Sequence, residues 1–324
     1  MNKPNRILSI LCIGLLVGLT AQQSSAETGI DIEYAESMPL ATESMLLDIT
    51  YVGDTIVAVG ERGHIIRSTD GETWQQADVV PTRSTLTSVF SKGNRLWAAG
   101  HDAVILTSGD QGKTWSREFF DPDRQQAVMD LIFTDENSGV AIGSYGLYLE
   151  TSDGGKNWQP SIVDQESDYH LNSMLVFGDG RRIIAGEAGY SYRSFDDGKS
   201  WEPMTMPYQG SMWGALKTED DCVLFYGLRG HVVESCDFGS SWTELKTNVE
   251  SSISGAVEHE GLVLLAANSG TILIRDDGHG FTTYHHSSGV DFSSVLSLEN
   301  GNFLLVGEDG VHHYPEMTEG GGSR

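Results

Sequence analysis

The stretch SGDQGKTW at 108–115 recurs as TSDGGKNW at 151–158, SFDDGKSW at 194–201 and SCDFGSSW at 235–242. A copy one residue shorter, STDGETW, occupies 68–74, and a decayed copy, IRDDGHGF, occupies 274–281. The closing aromatics Trp74, Trp115, Trp158, Trp201, Trp242 and Phe281 are spaced by 41, 43, 43, 41 and 39 residues, and five of the seven tryptophans fall on this one position. Self-similarity at such a period marks a repeat architecture. Each part of the box has a physical job. The Asp carboxylate accepts backbone N–H groups two residues on, Gly takes the positive φ of the turn, and the Ser or Thr hydroxyl ties the turn to its neighbour. The Trp packs between successive units. Asp70, Asp110, Asp153, Asp196 and Asp237, with their tryptophans, therefore read as a folding device, since repeated use argues against a single reactive site. The boxes lack the closely spaced carboxylates and final Glu of a calcium loop, so neither a metal nor a cofactor is expected.

A second marker precedes each box: a β-rich run ending in Gly, two free positions, then usually another Gly. It reads VAVGERG at 57–63, WAAGHDA at 97–103, AIGSYG at 141–146, IAGEAG at 184–189, FYGLRG at 225–230, AANSG at 266–270 and VGEDG at 306–310, which makes seven units. Each unit opens on a short apolar run, such as 47–51, 86–90, 129–133 or 295–298, and so holds three or four short strands separated by turn residues. About four strands per ~41 residues, without a 3.6-residue period, predicts an all-β, seven-bladed β-propeller and not a helical solenoid. The seventh unit has no Trp box. The segment 31–36 is expected to supply its outermost strand, because Tyr34 stands 15 residues before Ile49 as Trp74 stands 15 before Val89. Such a strand closes the ring and removes an open edge. The propeller is expected over 27–315, with a disordered tail over 316–324.

The 324 residues carry 46 acidic and 20 basic side chains, a formal net charge of −26. A surface so acidic repels phosphate backbones and anionic headgroups, which excludes general nucleic-acid binding. Lys3 and Arg6 precede the apolar run 7–19 and the small residues Ser24 and Ala26, the layout of a secretory signal cut after Ala26. Processing over 1–26 removes those two positive charges and takes the net charge from −26 to −28. Cys12 follows Ile10-Leu11, without the small residue that precedes a lipoprotein cysteine. The expectation is a periplasmic or secreted monomer with no membrane anchor. In the hairpin around Gly230, pairing Gly227 with His231 carries the register out to Cys222 opposite Cys236. An oxidising compartment permits a cross-strand disulfide there, with two buried thiols as the alternative.

With its boxes and blade spacing, the chain resembles the BNR/Asp-box propellers, and in particular the photosystem II stability and assembly factor family, whose units read like VGxxGxIxxSxDGGxTW. The matching stretches are VGERGHIIRSTDGETW at 59–74, IGSYGLYLETSDGGKNW at 142–158 and AGEAGYSYRSFDDGKSW at 185–201. The resemblance covers nearly the whole chain after the signal. It implies a non-catalytic propeller that binds newly made membrane-protein segments during complex assembly. Photosynthetic members look lipid-anchored or thylakoid-targeted and carry basic residues on one face, whereas this chain is acidic and has no lipidation cysteine at its cleavage site. Related propellers of non-photosynthetic bacteria are associated with periplasmic partners of membrane transport systems. A protein partner of that kind, in a membrane-protein complex or a transporter, is the version expected here.

The rival class is an Asp-box glycan hydrolase of the sialidase kind, or a glycan-binding propeller. Sialidases need three arginines converging on the axis, a Tyr–Glu nucleophile pair and an acid Asp. The innermost strands carry Asp48, Ser88, Asp130, Ser173, Gly214 and Ser294 at corresponding positions, and no Arg. Arg62, Arg67, Arg193, Arg229 and Arg275 fall in turns or third strands. Another Asp-box glycosidase could use two axial carboxylates such as Asp48 and Asp130, but no motif supports it, and no nucleophile elbow, HExxH, P-loop or Rossmann signature is present. The neighbours His285-His286 and His312-His313 point to opposite strand faces and make no bidentate metal site. No enzyme is expected, and the small polar inner positions are read as lining a water-filled channel. In propellers the loops entering the innermost strands and the turns between second and third strands share one face. That face gathers Phe119, Phe120, Tyr169, His170, Tyr208, Met212 and Trp213, with Arg62, Tyr145 and Arg229 on the turns. Exposed aromatics and arginines dominate interfaces, so Arg62, Tyr145, Tyr169, Tyr208, Trp213 and Arg229 are the candidate partner-binding residues.

Overall fold

The computed structural model describes residues 31–276 and 280–316. The signal segment 1–26, the centre of the sixth box at 277–279 and the tail beyond 316 lie outside the described residues. Blade one shows the unit from which the rest is built. Strands β1 (Leu46–Val52), β2 (Thr55–Gly60), β3 (Ile65–Ser68) and β4 (Gln75–Gln76) pair antiparallel in that order. The strand TIVAVG is buried along its whole length, which is why it reads as a continuous apolar run and not an alternating one. A blade in the middle of a stack is covered on both faces. The same order recurs in four-stranded sheets over 86–119, 128–160, 171–203, 212–245 and 253–285, and a three-stranded sheet over 292–314 completes a seven-bladed all-β propeller.

The core is divided into seven apolar clusters, one between each pair of neighbouring blades. Val57 and Ile65 of blade one meet Leu96, Leu106 and Trp115 of blade two. Trp97 of blade two lies flat against Phe133 of blade three at 3.7 Å between ring centres, with Trp158 edge-on to Phe133. Leu304 and Val306 of blade seven meet Ile49, Ala58 and Ile66 of blade one and close the ring. Each box tryptophan thus packs back onto the preceding blade, and burial of these aromatic faces together with the aliphatic side chains of the clusters holds the units together.

The boxes have the expected internal bonding. In blade two the Ser108 hydroxyl bonds the Asp110 carboxylate at 2.8 Å and accepts the Gly112 amide at 3.1 Å, while Asp110 accepts the Thr114 amide and hydroxyl at 2.9 and 2.6 Å. The indole N–H of Trp115 then reaches back to the Gly112 carbonyl at 3.0 Å. Glycines at the second marker are needed for two different reasons. At Gly100 a Cβ would stand 2.0 Å from the Thr85 carbonyl, so the innermost strand leaves no room for a side chain. Gly63 adopts φ +72°, in the region that only glycine occupies freely.

The ring closes differently from the sequence expectation. Residues 32–38 form no strand, and Tyr34 is 53% exposed instead of wedged between blades. The segment runs beside blade one: the Ala35 amide bonds the Val80 carbonyl at 2.9 Å, and the Gln76 side chain accepts the Met38 amide and donates to the Glu36 carbonyl. The third strand of blade seven, Gly310–Tyr314, is met instead by the short turn Ala41–Glu43, whose Thr42 carbonyl lies 2.0 Å from where a Gly310 Cβ would be. Ile32, Tyr34 and Met38 stay exposed, while Ala35 packs against the cluster between blades one and two and the polar partners on blade one hold the segment there. Glu316, assigned to the tail by sequence, accepts the Ser287 amide at 2.8 Å.

Candidate binding face around the axial cavity

All seven innermost strands begin with the same irregularity. The register slips by one residue between Leu46 and Asp48, Leu86 and Ser88, Val128 and Asp130, Leu171 and Ser173, Met212 and Gly214, Ile253 and Gly255, and Phe292 and Ser294. A bulge of this kind bends the strand and turns an extra residue off the ladder. Here the extra residues are Leu47, Thr87, Met129, Asn172, Trp213, Ser254 and Ser293, and with their successors they line an axial cavity of about 680 Å³.

Two of the successors are carboxylates. Asp48 accepts the Ile49 amide at 2.9 Å, the Val89 amide of blade two at 2.8 Å and the Ser294 hydroxyl of blade seven at 2.9 Å. Asp130 accepts the Met174 amide and Ser173 hydroxyl of blade four, both on Oδ2, at 2.8 and 3.1 Å. Each therefore bolts its own blade to a neighbour at the axis. Burial nevertheless outweighs these bonds and pushes both carboxyls up to about 6, with the Asp48 charge adding to the rise at Asp130. Tyr226 faces the same space from a second strand. Its partner in register is Gly214, where a Cβ would lie 2.2 Å from the phenol ring, so the ring fills the place of the missing side chain. Burial and the two carboxylates raise the Tyr226 hydroxyl far above its ordinary range. Sequence reading found both aspartates and missed Tyr226; the signal was a glycine on an innermost strand opposite a tyrosine.

Around the mouth, the turns between second and third strands repeat one conformation. Arg62, Asp102, Tyr145, Ala188, Arg229 and Ser269 all take left-handed φ between 53° and 59°. This holds six side chains outward at equivalent points of the rim. The candidate residues fall into an arc over blades three to five, with one outlier. Tyr145, 58% exposed, meets His170 edge-on at 5.0 Å. Tyr169 stacks on Tyr190 at 4.1 Å, and Tyr208 stacks on His231 at 3.6 Å. Trp213, at 37% exposure, and His170 line the cavity, and Arg229 is exposed beside them on the blade-five turn. Arg62 stands apart on blade one, its nearest acid Glu61 at 4.0 Å. Met212 is fully buried, and Phe119 and Phe120 are half-buried under their loop, with Arg117 over the Phe120 ring.

Among the described residues no Arg or Lys lines the axial cavity. Arg182, Arg193 and Arg275 are held on the blades by Glu150, Glu202 and Glu234 at 2.8, 3.3 and 3.0 Å. Among the described residues no group of three or more His, Cys, Asp or Glu side chains could hold a metal ion. His286 bonds the His313 carbonyl at 3.2 Å, His312 packs against His286 and Phe292, and His285 is exposed. Cys222 and Cys236 are joined by a disulfide across blade five, with their Cα atoms 4.1 Å apart. They lie next to the pair Val223 and Ser235 on adjacent strands, at the end remote from the Arg229 turn.

The sequence model of the family described as "Photosynthesis system II assembly factor YCF48" matches residues 30–123 and 118–259. Among solved structures, "YCF48 bound to D1 peptide" superposes with a TM-score of 0.69 at 20% identity, over 87% of this chain and 93% of that one. "YCF48 from Cyanidioschyzon merolae" gives 0.67 at 20% identity, over 86% and 97%. The WD40 propeller domain of Doa1 gives 0.67 at 15% identity, over 86% and 95%, so likeness at this level speaks for the fold alone. A curated relative, the uncharacterized protein YkuO of Bacillus subtilis (strain 168), is 35% identical over 68 residues, 21% of this chain and 23% of that protein. The match thus spans less than a quarter of that relative's length.

Proposed function

Because the chain belongs to the photosynthesis system II assembly factor family, we propose that it is a non-catalytic, exported propeller that binds a polypeptide segment of a membrane-protein complex or transporter. The observation that carries this reading is the arc of exposed aromatics and Arg229 over blades three to five, continuous with the axial mouth. Aromatic side chains offer large contact area at low entropic cost, and a rim arginine adds directional bonds to backbone carbonyls or carboxylates. A propeller similar in fold, YCF48, has been solved with a D1 peptide, which supports polypeptide binding as the use of this scaffold. A sialidase-like reading lacks its carboxylate grip, since among the described residues no arginine lies on an innermost strand or lines the cavity.

Affinity purification from the native cell envelope tests the reading. The wild-type chain is expected to retain a partner that Trp213→Ala and Arg229→Glu each weaken tenfold or more. Full retention by both variants, or turnover of a fluorogenic sialoside, would overturn it.

A further inference from the structure

We propose that the axial cavity is a binding site for an organic cation, an ammonium or guanidinium group seated between the Asp130 carboxylate and the Tyr226 hydroxyl. The hydroxyl is the first reason. Tyr226 is only 7% exposed, lines the cavity, and has no hydrogen-bond partner for its hydroxyl among the described residues. The ring is aimed at the axis by Gly214, where a Cβ would stand 2.3 Å from the hydroxyl oxygen. Asp130 supplies the second group. Its bonds to Met174 and Ser173 both fall on Oδ2, the Leu131 amide is a further donor, and a carboxylate with these three partners keeps acceptor capacity for a fourth.

Charge is the second reason. At this position the other blades carry Ser88, Ser173 and Ser294, so the charge is peculiar to blades one and three, and the Ser294 and Ser173 hydroxyls donate to Asp48 and Asp130. Two carboxylates at the axis, with no Lys or Arg in the lining, leave negative charge in a poorly solvated space without a counter-charge. The mouth continues the same chemistry, with Glu187 and the indole of Trp213 on the way in. An aromatic face and a carboxylate are what an entering cation meets favourably. Because no set of three ligating side chains is present among the described residues, the geometry suits an organic cation better than a metal ion. Its volume of about 680 Å³ lies within the usual range for small-molecule sites.

The cation is either a basic side chain of a bound polypeptide, in which case the inference rests on the protein-binding reading, or the end of a free polyamine. Calorimetric titration of the full chain with spermidine, and separately with acetyl-Gly-Arg-Gly-amide, tells the two sources apart. One of these probes is expected to bind saturably at one site per chain. Asp130→Asn should then weaken it at least tenfold, and Tyr226→Phe, which leaves the ring over Gly214, at least threefold. Asp54→Asn, at an exposed acid in the turn between β1 and β2, should leave binding unchanged. Failure of both probes to saturate, or equal weakening by Asp54→Asn, overturns the inference. So does unchanged affinity in Tyr226→Phe, a variant that stands even if Asp130→Asn does not fold. Partner capture that survives in Tyr226→Phe while neither probe binds the wild type would sink this inference and leave the protein-binding reading intact.

Discussion

Aspartates in this chain work in two opposed ways. Asp70, Asp153, Asp196 and Asp237 are exposed carboxylates held at about 2 by hydrogen bonds from the following turn: to Asp70 from the Thr73 amide, and to the others from the side chains of Asn157, Ser200 and Ser241. Their folded pKa lies below the unfolded value, so the stability they contribute is present above about pH 4 and is lost as pH falls toward 2. Asp48 and Asp130 are raised to about 6 by burial, so the folded state binds more protons than the unfolded chain between about pH 4 and 6. There the sign reverses: stability falls as pH rises through that window. The melting midpoint is expected to climb as pH is lowered from 7 to 5, by an amount worth on the order of 1 kcal/mol per carboxylate. Asp130→Asn should flatten that climb, and an unaltered slope in the variant would show that other groups carry it. The box aspartates were legible from eight consecutive residues because their partners are local in sequence. Tyr226 was not, because its place depends on Gly214 twelve residues away across a strand pair.

At the scale of the element, the blade is a wedge whose faces must both be covered. Its second strand is buried along its length, as in TIVAVG of blade one and VLFYG of blade five, and its box tryptophan reaches the preceding blade. These tryptophans are not equally buried. Trp115 is 4% exposed within the cluster between blades one and two, whereas Trp74 is half-buried at the closing junction with blade seven. Trp115→Ala is therefore expected to cost about 3–5 kcal/mol in urea unfolding, and Trp74→Ala clearly less. Equal losses would mean that the box turn, and not aromatic burial, holds the blades together. Strand number and order per blade could be read from the spacing of Gly pairs and boxes. The sevenfold bulge could not, since the extra residues share no chemistry, running from Leu47 and Trp213 to Asn172 and Ser254.

For the whole molecule the question is how a ring of units closes. The structure places the closure in apolar contact of Leu304 and Val306 with Ile49, Ala58 and Ile66, and not in a strand lent by the N-terminus. Deleting residues 32–37 removes a few hydrogen bonds, each worth about 1 kcal/mol, and the packing of Ala35, and should lower the melting midpoint by only a few degrees. Leu304→Ala in the closing cluster should cost about 2–5 kcal/mol. A deletion as damaging as that substitution would restore a closing role for the segment. The repeat by itself determined the all-β class, the seven units, the box chemistry and the absence of arginines from the innermost strands, because each of these is written in contacts a few residues long. Only the tertiary structure decided which side chains meet at the axis, that Arg62 stands apart from the aromatic arc, and that the N-terminal segment lies along blade one. Those outcomes depend on seven bulged strands converging on one axis and on the competition between two surfaces for one segment. Neither is a property of any stretch of chain taken alone.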